Sequence, residues 1–149
     1  MAFKQNKKKC ITNSVLLIVA GIVIMMSFSC KKAIEQAKKN IIVNAVTNGR
    51  WYVELYKQDT TDVTGDFFGY EFQFYENGTV DGIKSTSTSS GTWVTDINNY
   101  TITAAFLPAA GDTLNRLSYK WKITDSALDY VSATTTTSTS TNTLHLRKK

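Results

Sequence analysis

The sequence predicts an all-β fold: an eight-stranded antiparallel up-and-down barrel, preceded by a short amphipathic helix and by an N-terminal signal helix. Three observations predict it. From Trp51 onward apolar residues recur at every second position, the period of a strand with one buried face. Turn residues, above all Asn77-Gly78, separate these runs at hairpin spacing and leave no room for parallel crossovers. Before Gly49 the pattern differs, with a period of 3.6 from Lys31 to Val46 and a continuous apolar run from Val15 to Met26.

The apolar run sets the address of the chain. Lys4, Lys7, Lys8 and Lys9 form a positive n-region, and Val15 to Met26 is twelve residues long. A spanning helix needs roughly 20 apolar residues, so the run reads as the h-region of a cleaved signal. The alternative is an uncleaved anchor from Ile11 to Cys30, with Lys31 and Lys32 at the far interface. Ser27-Phe28-Ser29-Cys30 resembles the lipobox of bacterial lipoproteins. That resemblance implies cleavage before Cys30 and lipidation of its thiol by diacylglycerol, with a further amide-linked acyl chain of the palmitate class. Each buried CH₂ adds about 0.8 kcal/mol, so such an anchor is effectively permanent. Lys31 follows the cysteine, where familiar sorting rules place an Asp for inner-membrane retention. The resemblance therefore points to the cell envelope, as an outer-membrane lipoprotein. The expected divisions are a signal peptide over 1–29, a lipidated cysteine with a helical tether over 30–48, and a barrel domain over 49–149.

The net charge of +5 does not belong to the domain. Four of the seventeen basic residues precede Cys30, and Lys31, Lys32, Lys38 and Lys39 follow it. From Gly49 onward nine basic residues face eleven acidic ones, a balance of −2. Nucleic-acid affinity rests on neutralising phosphates, so no nucleic-acid partner is expected. Cys10 and Cys30 are the only cysteines, which leaves the mature domain without a disulfide, a cysteine nucleophile or a cysteine zinc site. The 119 residues after Cys30 suffice for one domain.

Along that domain, Ile34, Ala37, Ile41, Ile42, Ala45 and Val46 give the tether helix an apolar stripe with lysines opposite. The stripe is expected on the neighbouring domain, with lipid headgroups as the other surface it would suit. Asn48-Gly49 ends the helix. Trp51, Val53 and Leu55 then alternate with Tyr52, Glu54 and Tyr56, and Tyr70, Phe72 and Phe74 with Glu71, Gln73 and Tyr75. Asn77-Gly78 predicts a type I′ turn, with a return strand from Thr79. Thr92 to Val94, Asn99 to Ala104, Leu117 to Ile123, Ala127 to Ala133 and Thr143 to Arg147 complete eight strands, which closure into a barrel leaves without an open edge. Val80 and Ile83 differ in parity around Gly82, where a bulge is expected. The Ser/Thr-rich runs Ser85 to Ser90 and Thr134 to Thr141 read as solvated hairpin ends or strand extensions.

Gly49-Arg50-Trp51 resembles the Gly-x-Trp opening of the lipocalin and calycin superfamily, in which the tryptophan plugs one barrel end. Phe68-Gly69-Tyr70-Glu71-Phe72, Glu76-Asn77-Gly78-Thr79-Val80, Gly91-Thr92-Trp93 and Leu117-Ser118-Tyr119-Lys120-Trp121 follow in matching order and spacing. Together they are similar to small bacterial lipocalin-like lipoproteins over nearly all of Gly49 to Lys149. The resemblance implies binding of a small hydrophobic or amphiphilic molecule, with no enzymatic activity and no cofactor. It also implies a last-strand arginine across the opening tryptophan, for which Arg147 is the candidate. Arg147 shares the parity of His145, opposite to Leu144 and Leu146, so either a bulge intervenes or that contact is absent.

Eight strands in about 100 residues leave roughly 12 residues per strand and loop, little for a deep calyx. The expected interior holds Trp51, Tyr70, Phe72, Phe74, Trp93, Tyr100, Tyr119, Trp121 and Tyr130, and rings of about 150 to 250 Å² each fill space. A shallow site at one barrel mouth is expected instead, walled by Trp51, Phe67, Phe68, Tyr70, Phe72 and Trp121, with the loop Asp59 to Phe68 as its lid. Asp59, Asp62 and Asp66 in that loop lack the spacing of a cation loop, and Asp62 suits the start of a helical turn. No metal is assigned. The single His145 has no nucleophile motif beside it, so no catalytic residue is assigned either. A second reading keeps the barrel filled and gives the outer face, Tyr52, Tyr56 and Tyr75, to an envelope protein partner.

Overall fold

A computed structural model describes residues 33–149. The signal run and Cys30 lie outside the described residues. The chain divides into two compact units, Met1–Lys39 and Asn40–Lys149. Residues 33–47 are helical (α1), and residues 40–47 of that helix belong to the second unit. Among the described residues, no helix is long and apolar enough to cross a membrane.

Nine strands follow: β1 (Arg50–Gln58), β2 (Thr61–Asp62), β3 (Tyr70–Phe74), β4 (Thr79–Lys84), β5 (Ser87–Asp96), β6 (Thr101–Phe106), β7 (Lys120–Ser126), β8 (Tyr130–Thr136) and β9 (Thr141–Lys148). All pairings are antiparallel. The order is β2-β1-β3-β4-β5-β6-β7-β8-β9, and β1 also pairs β9. That last ladder closes an eight-stranded barrel, with two-residue β2 folded back on the end of β1. The expected all-β antiparallel barrel with one helix before it is the observed fold, and the expected signal helix lies outside the described residues.

The alternation holds in detail where the ladders are regular. Trp51, Phe72, Phe74, Trp93 and Trp121 are buried. Three departures have identifiable causes. The β1–β9 register shifts between Val53 and Leu55, and this bulge reverses parity so that Tyr56, expected outside, is buried. Gly82 sits in unbroken ladders with β3 and β5, so no bulge lies there. A Cβ on Gly82 would stand 3.0 Å from Leu114 Cδ2, which shows that the missing side chain makes room for a plug. In the Asn77-Gly78 turn Gly78 alone takes positive φ, at 83°, so the turn is not type I′. Asn77 Oδ1 instead accepts from Thr79 N–H at 3.0 Å and from its hydroxyl at 2.7 Å.

Three expected interior tyrosines lie outside. Tyr100 is a turn residue at φ 51°, 63% exposed. Tyr119 precedes β7 and stands at the rim, edge-on to Trp121. On β8 it is Val131 and Ala133 that line the interior, which turns Tyr130 outward, where Arg147 covers its ring and Asp125 accepts from its hydroxyl.

Both barrel ends are closed. At one end α1 presents its final carbonyls to the barrel. Trp51 Nε1 donates to Val46 O at 2.8 Å, Lys148 Nζ to Ala45 O at 3.0 Å, and Gln73 Nε2 to Thr47 O at 3.1 Å. Helix-end carbonyls without such donors would be left unsatisfied. Val46 is buried, and Ile42 and Val43 pack beside it. At the other end a short helix, α2 (Asp112–Asn115), carries the fully buried Leu114 inward. Leu117 follows it, and its carbonyl accepts from Trp121 Nε1 at 3.0 Å.

Candidate functional site

The six expected ligand-site residues fall into two groups. Trp51, Phe72 and Trp121 line the barrel interior, where the remaining cavity is about 50 Å³ and every lining residue is apolar. A cavity of that kind stays dry and is far below the roughly 300 to 1,000 Å³ of ordinary ligand pockets. Phe67, Phe68 and Tyr70 line a different space, an open groove of about 330 Å³ shared with Tyr52, Val53, Gly69, Glu71 and Lys149, although the Tyr70 ring stacks on Phe72 at 6.2 Å. The expected single mouth site is therefore two separate spaces.

The groove exists because one ladder is short. β1 and β3 pair only at Arg50↔Gln73 and Trp51↔Phe72, whereas β1 and β9 pair along nearly all of β1. Beyond Trp51, β1 bonds to its own following loop. Tyr56 N–H donates to Thr64 Oγ1 at 2.8 Å, and Tyr56 O accepts from Val63 N–H at 3.0 Å. A 3-10 turn (Thr64–Phe67) then returns the chain to β3. Phe67, 2% exposed, fills the gap between the strands and meets the Tyr56 ring at 5.0 Å. Phe68, 86% exposed, points outward, and Gly69 at φ 82° makes the reversal into β3.

The loop from Asp59 to Phe68, expected as a lid, is thus a fitted part of the wall. Its three carboxylates are engaged within the protein. Asp59 Oδ1 accepts from Thr141 N–H at 2.8 Å, Asp62 Oδ1 accepts from Thr64 N–H at 2.9 Å, and Asp66 pairs with Arg116. The hydrogen bonds from Thr64 hold the Asp62 carboxyl below its ordinary range. Among the described residues, no cluster of three His, Cys, Asp or Glu side chains is arranged to hold a metal ion.

The charge of the groove lies at its Lys149 end. Glu71 accepts from Lys149 Nζ and, at 2.9 Å, from Arg50 Nη1. The bond from Lys149, then that from Arg50, lowers the Glu71 pKa. Lys84 Nζ lies 4.7 Å from the centre of the Tyr70 ring on the other flank.

Sequence reasoning missed the plug Leu114, which sits in a four-residue helix too short for periodicity to resolve, and read Leu117 as the start of a strand, whereas Val46 belongs to the stripe expected to pack on the domain and is buried there. Of the two alternatives left for Arg147, its contact with the opening tryptophan is the one that is absent. Lys148 Nζ lies 5.1 Å from the Trp51 ring, whereas Arg147 stays outside, paired with Glu54 and Asp129. Lys148 has the inward parity of Leu144 and Leu146, so no bulge is needed. Of the tyrosines expected to meet a partner, Tyr52 and Tyr75 are exposed and Tyr56 is not. His145 is half-buried on β9, opposite Leu55.

The barrel has a structural relative. A crystal structure of a DUF4847 family protein from Bacteroides vulgatus superposes with a TM-score of 0.51 at 12% identity, over 72% of this chain and 97% of that one. At that identity the likeness is one of fold alone. No family profile and no curated protein matches the chain.

Proposed function

We propose that this protein is a membrane-anchored, lipocalin-like envelope lipoprotein without enzymatic activity, held at the outer membrane through a lipidated Cys30, that binds a small hydrophobic or amphiphilic molecule. The observation that carries the binding reading is the groove beside Phe67, Phe68 and Tyr70, about 330 Å³ against about 50 Å³ inside the barrel. The exposed Phe68 on a hydrogen-bonded turn, with the exposed Tyr52 in the same groove, offers apolar area without a reorganisation cost. The ligand is thus taken on the barrel wall, and the closed barrel serves as its rigid support.

One observation favours a second reading. Both barrel ends are closed and the interior is nearly filled, as suits an accessory protein whose outer face, with Tyr52 and Tyr75, docks an envelope protein. Native mass spectrometry of residues 31–149, exported to the periplasm and purified without detergent, separates the two. A reproducible added mass that is lost on denaturation, and lost in Phe68→Ser, supports the groove binder. A bare mass that stays bare after incubation with a lipid extract supports the docking protein.

A further inference from the structure

The groove is apolar along one part and cationic along another. Its apolar part is Phe67, Phe68 and Tyr52. At the Lys149 end two cationic side chains, Arg50 and Lys149, meet the single acid Glu71, while Lys84 stands on the other flank, over the Tyr70 ring. Arg50 and Lys149 are each more than half exposed, and each is bonded to Glu71 through one nitrogen only. A guanidinium has five N–H donors and an ammonium three, so both retain donors facing water. A cationic ligand head would meet two like charges against one acid here, and a neutral one would leave these donors without a charged partner.

We propose that the groove selects a single-chain anionic amphiphile, whose apolar tail lies on Phe68 and Tyr52 and whose carboxylate, sulfate or phosphate head accepts from Arg50 and Lys149. This rests on the reading of the groove as the ligand site. The volume suits one chain, since about 330 Å³ is near the lower bound of ligand pockets. Glu71 has a positioning role: it holds the two cations side by side, and the ligand head becomes their second anion.

Photolabelling of the full chain in isolated membranes tests this, using dodecanoic acid with a diazirine in its tail and the matching dodecyl trimethylammonium. The acid is expected to label Tyr52 or residues 67–71 roughly tenfold more than the cation does, as several exposed charge contacts of changed sign would give. Arg50→Gln with Lys149→Gln should bring the ratio within about twofold, and Phe68→Ser should reduce labelling by both probes. All three substituted side chains are exposed, and an unchanged near-ultraviolet circular dichroism spectrum establishes that the variants fold. Equal labelling of the groove by acid and cation would leave the groove as a binding site and overturn the charge selection. Labelling by a photoreactive two-chain anionic phospholipid but not by the acid would overturn the single-chain ligand. Absence of groove labelling by any probe would overturn both this inference and the reading beneath it.

Discussion

Replacing Gly82 with alanine should destabilise the barrel on its own and cost less, or nothing, once Leu114 has been shortened. The added Cβ would stand 3.0 Å and 3.1 Å from the two Leu114 methyl carbons and 3.5 Å from Phe106 Cε1. Leu114 is fully buried and cannot swing into solvent. Overpacking of this kind costs about 1 to 3 kcal/mol. Alanine regains about 0.5 to 1 kcal/mol over glycine in a strand, which leaves a net loss centred on about 1 kcal/mol and at most about 2.5 kcal/mol. Leu114→Ala should lose about 2.7 to 5 kcal/mol by emptying its site. In the double variant the alanine methyl enters that space, and the clash disappears. The coupling energy should then be about 1 to 3 kcal/mol in favour of the pair, within the usual range for touching residues. Urea melts of the four proteins, compared at equal slope, measure it. Additivity within about 0.5 kcal/mol would show that Leu114 does not sit against Gly82, and the closure of that barrel end would fall with it.

Three further outcomes follow from named contacts. Burial, then the nearby Tyr119, pushes the Tyr56 pKa up to about 12, and Tyr56 donates to Arg116 O at 2.8 Å. The folded state therefore keeps a proton that the unfolded chain releases near pH 10, so this stability is present below pH 10 and is lost as pH rises to about 12. Tyr56→Phe should cost about 1 kcal/mol at neutral pH and lessen the alkaline loss by about 2 kcal/mol, and parallel alkaline stability curves would contradict it. Ala133→Val should fill part of the interior cavity: about 50 Å³ at roughly 24 cal/mol per Å³ bounds the gain near 1 kcal/mol, read as a higher urea midpoint. Lys148→Met should cost about 1 to 2 kcal/mol in the same melts by freeing the Ala45 carbonyl and uncovering Trp51, more than Arg147→Met, whose ion pairs are exposed. The reverse ranking would return the tryptophan cover to Arg147.

Much of the barrel was legible because side-chain alternation and turn chemistry are local. Trp51, Phe72, Phe74, Trp93 and Trp121 are buried as the period of two requires. What was not legible depended on single residues without a local signature. One bulge near Glu54 reversed Tyr56, and no propensity marks where a ladder slips by a residue. Gly82 looked like a strand defect because its reason, Leu114, is 32 positions away in the chain and adjacent only in space. The candidate site divided for a similar cause. Phe67 and Phe68 are consecutive and chemically alike, yet the 3-10 turn buries one and exposes the other. The groove itself comes from the two-pair length of the β1–β3 ladder, a property of tertiary pairing.

Three buried indoles report directly on where a ligand goes. Trp51, Trp93 and Trp121 donate through Nε1 to the carbonyls of Val46, Tyr75 and Leu117, so each gives a distinct indole resonance tied to the interior. We would titrate dodecanoate into ¹⁵N-labelled protein, residues 31–149, below its micellar concentration and follow the ¹H–¹⁵N spectrum. Shifts confined to the backbone amides of Tyr52, Phe67–Glu71 and Lys149, with the three indole peaks unmoved, are the expected result. Movement or broadening of the Trp51 and Trp121 indoles would put the ligand inside the barrel and contradict a binding site on its wall.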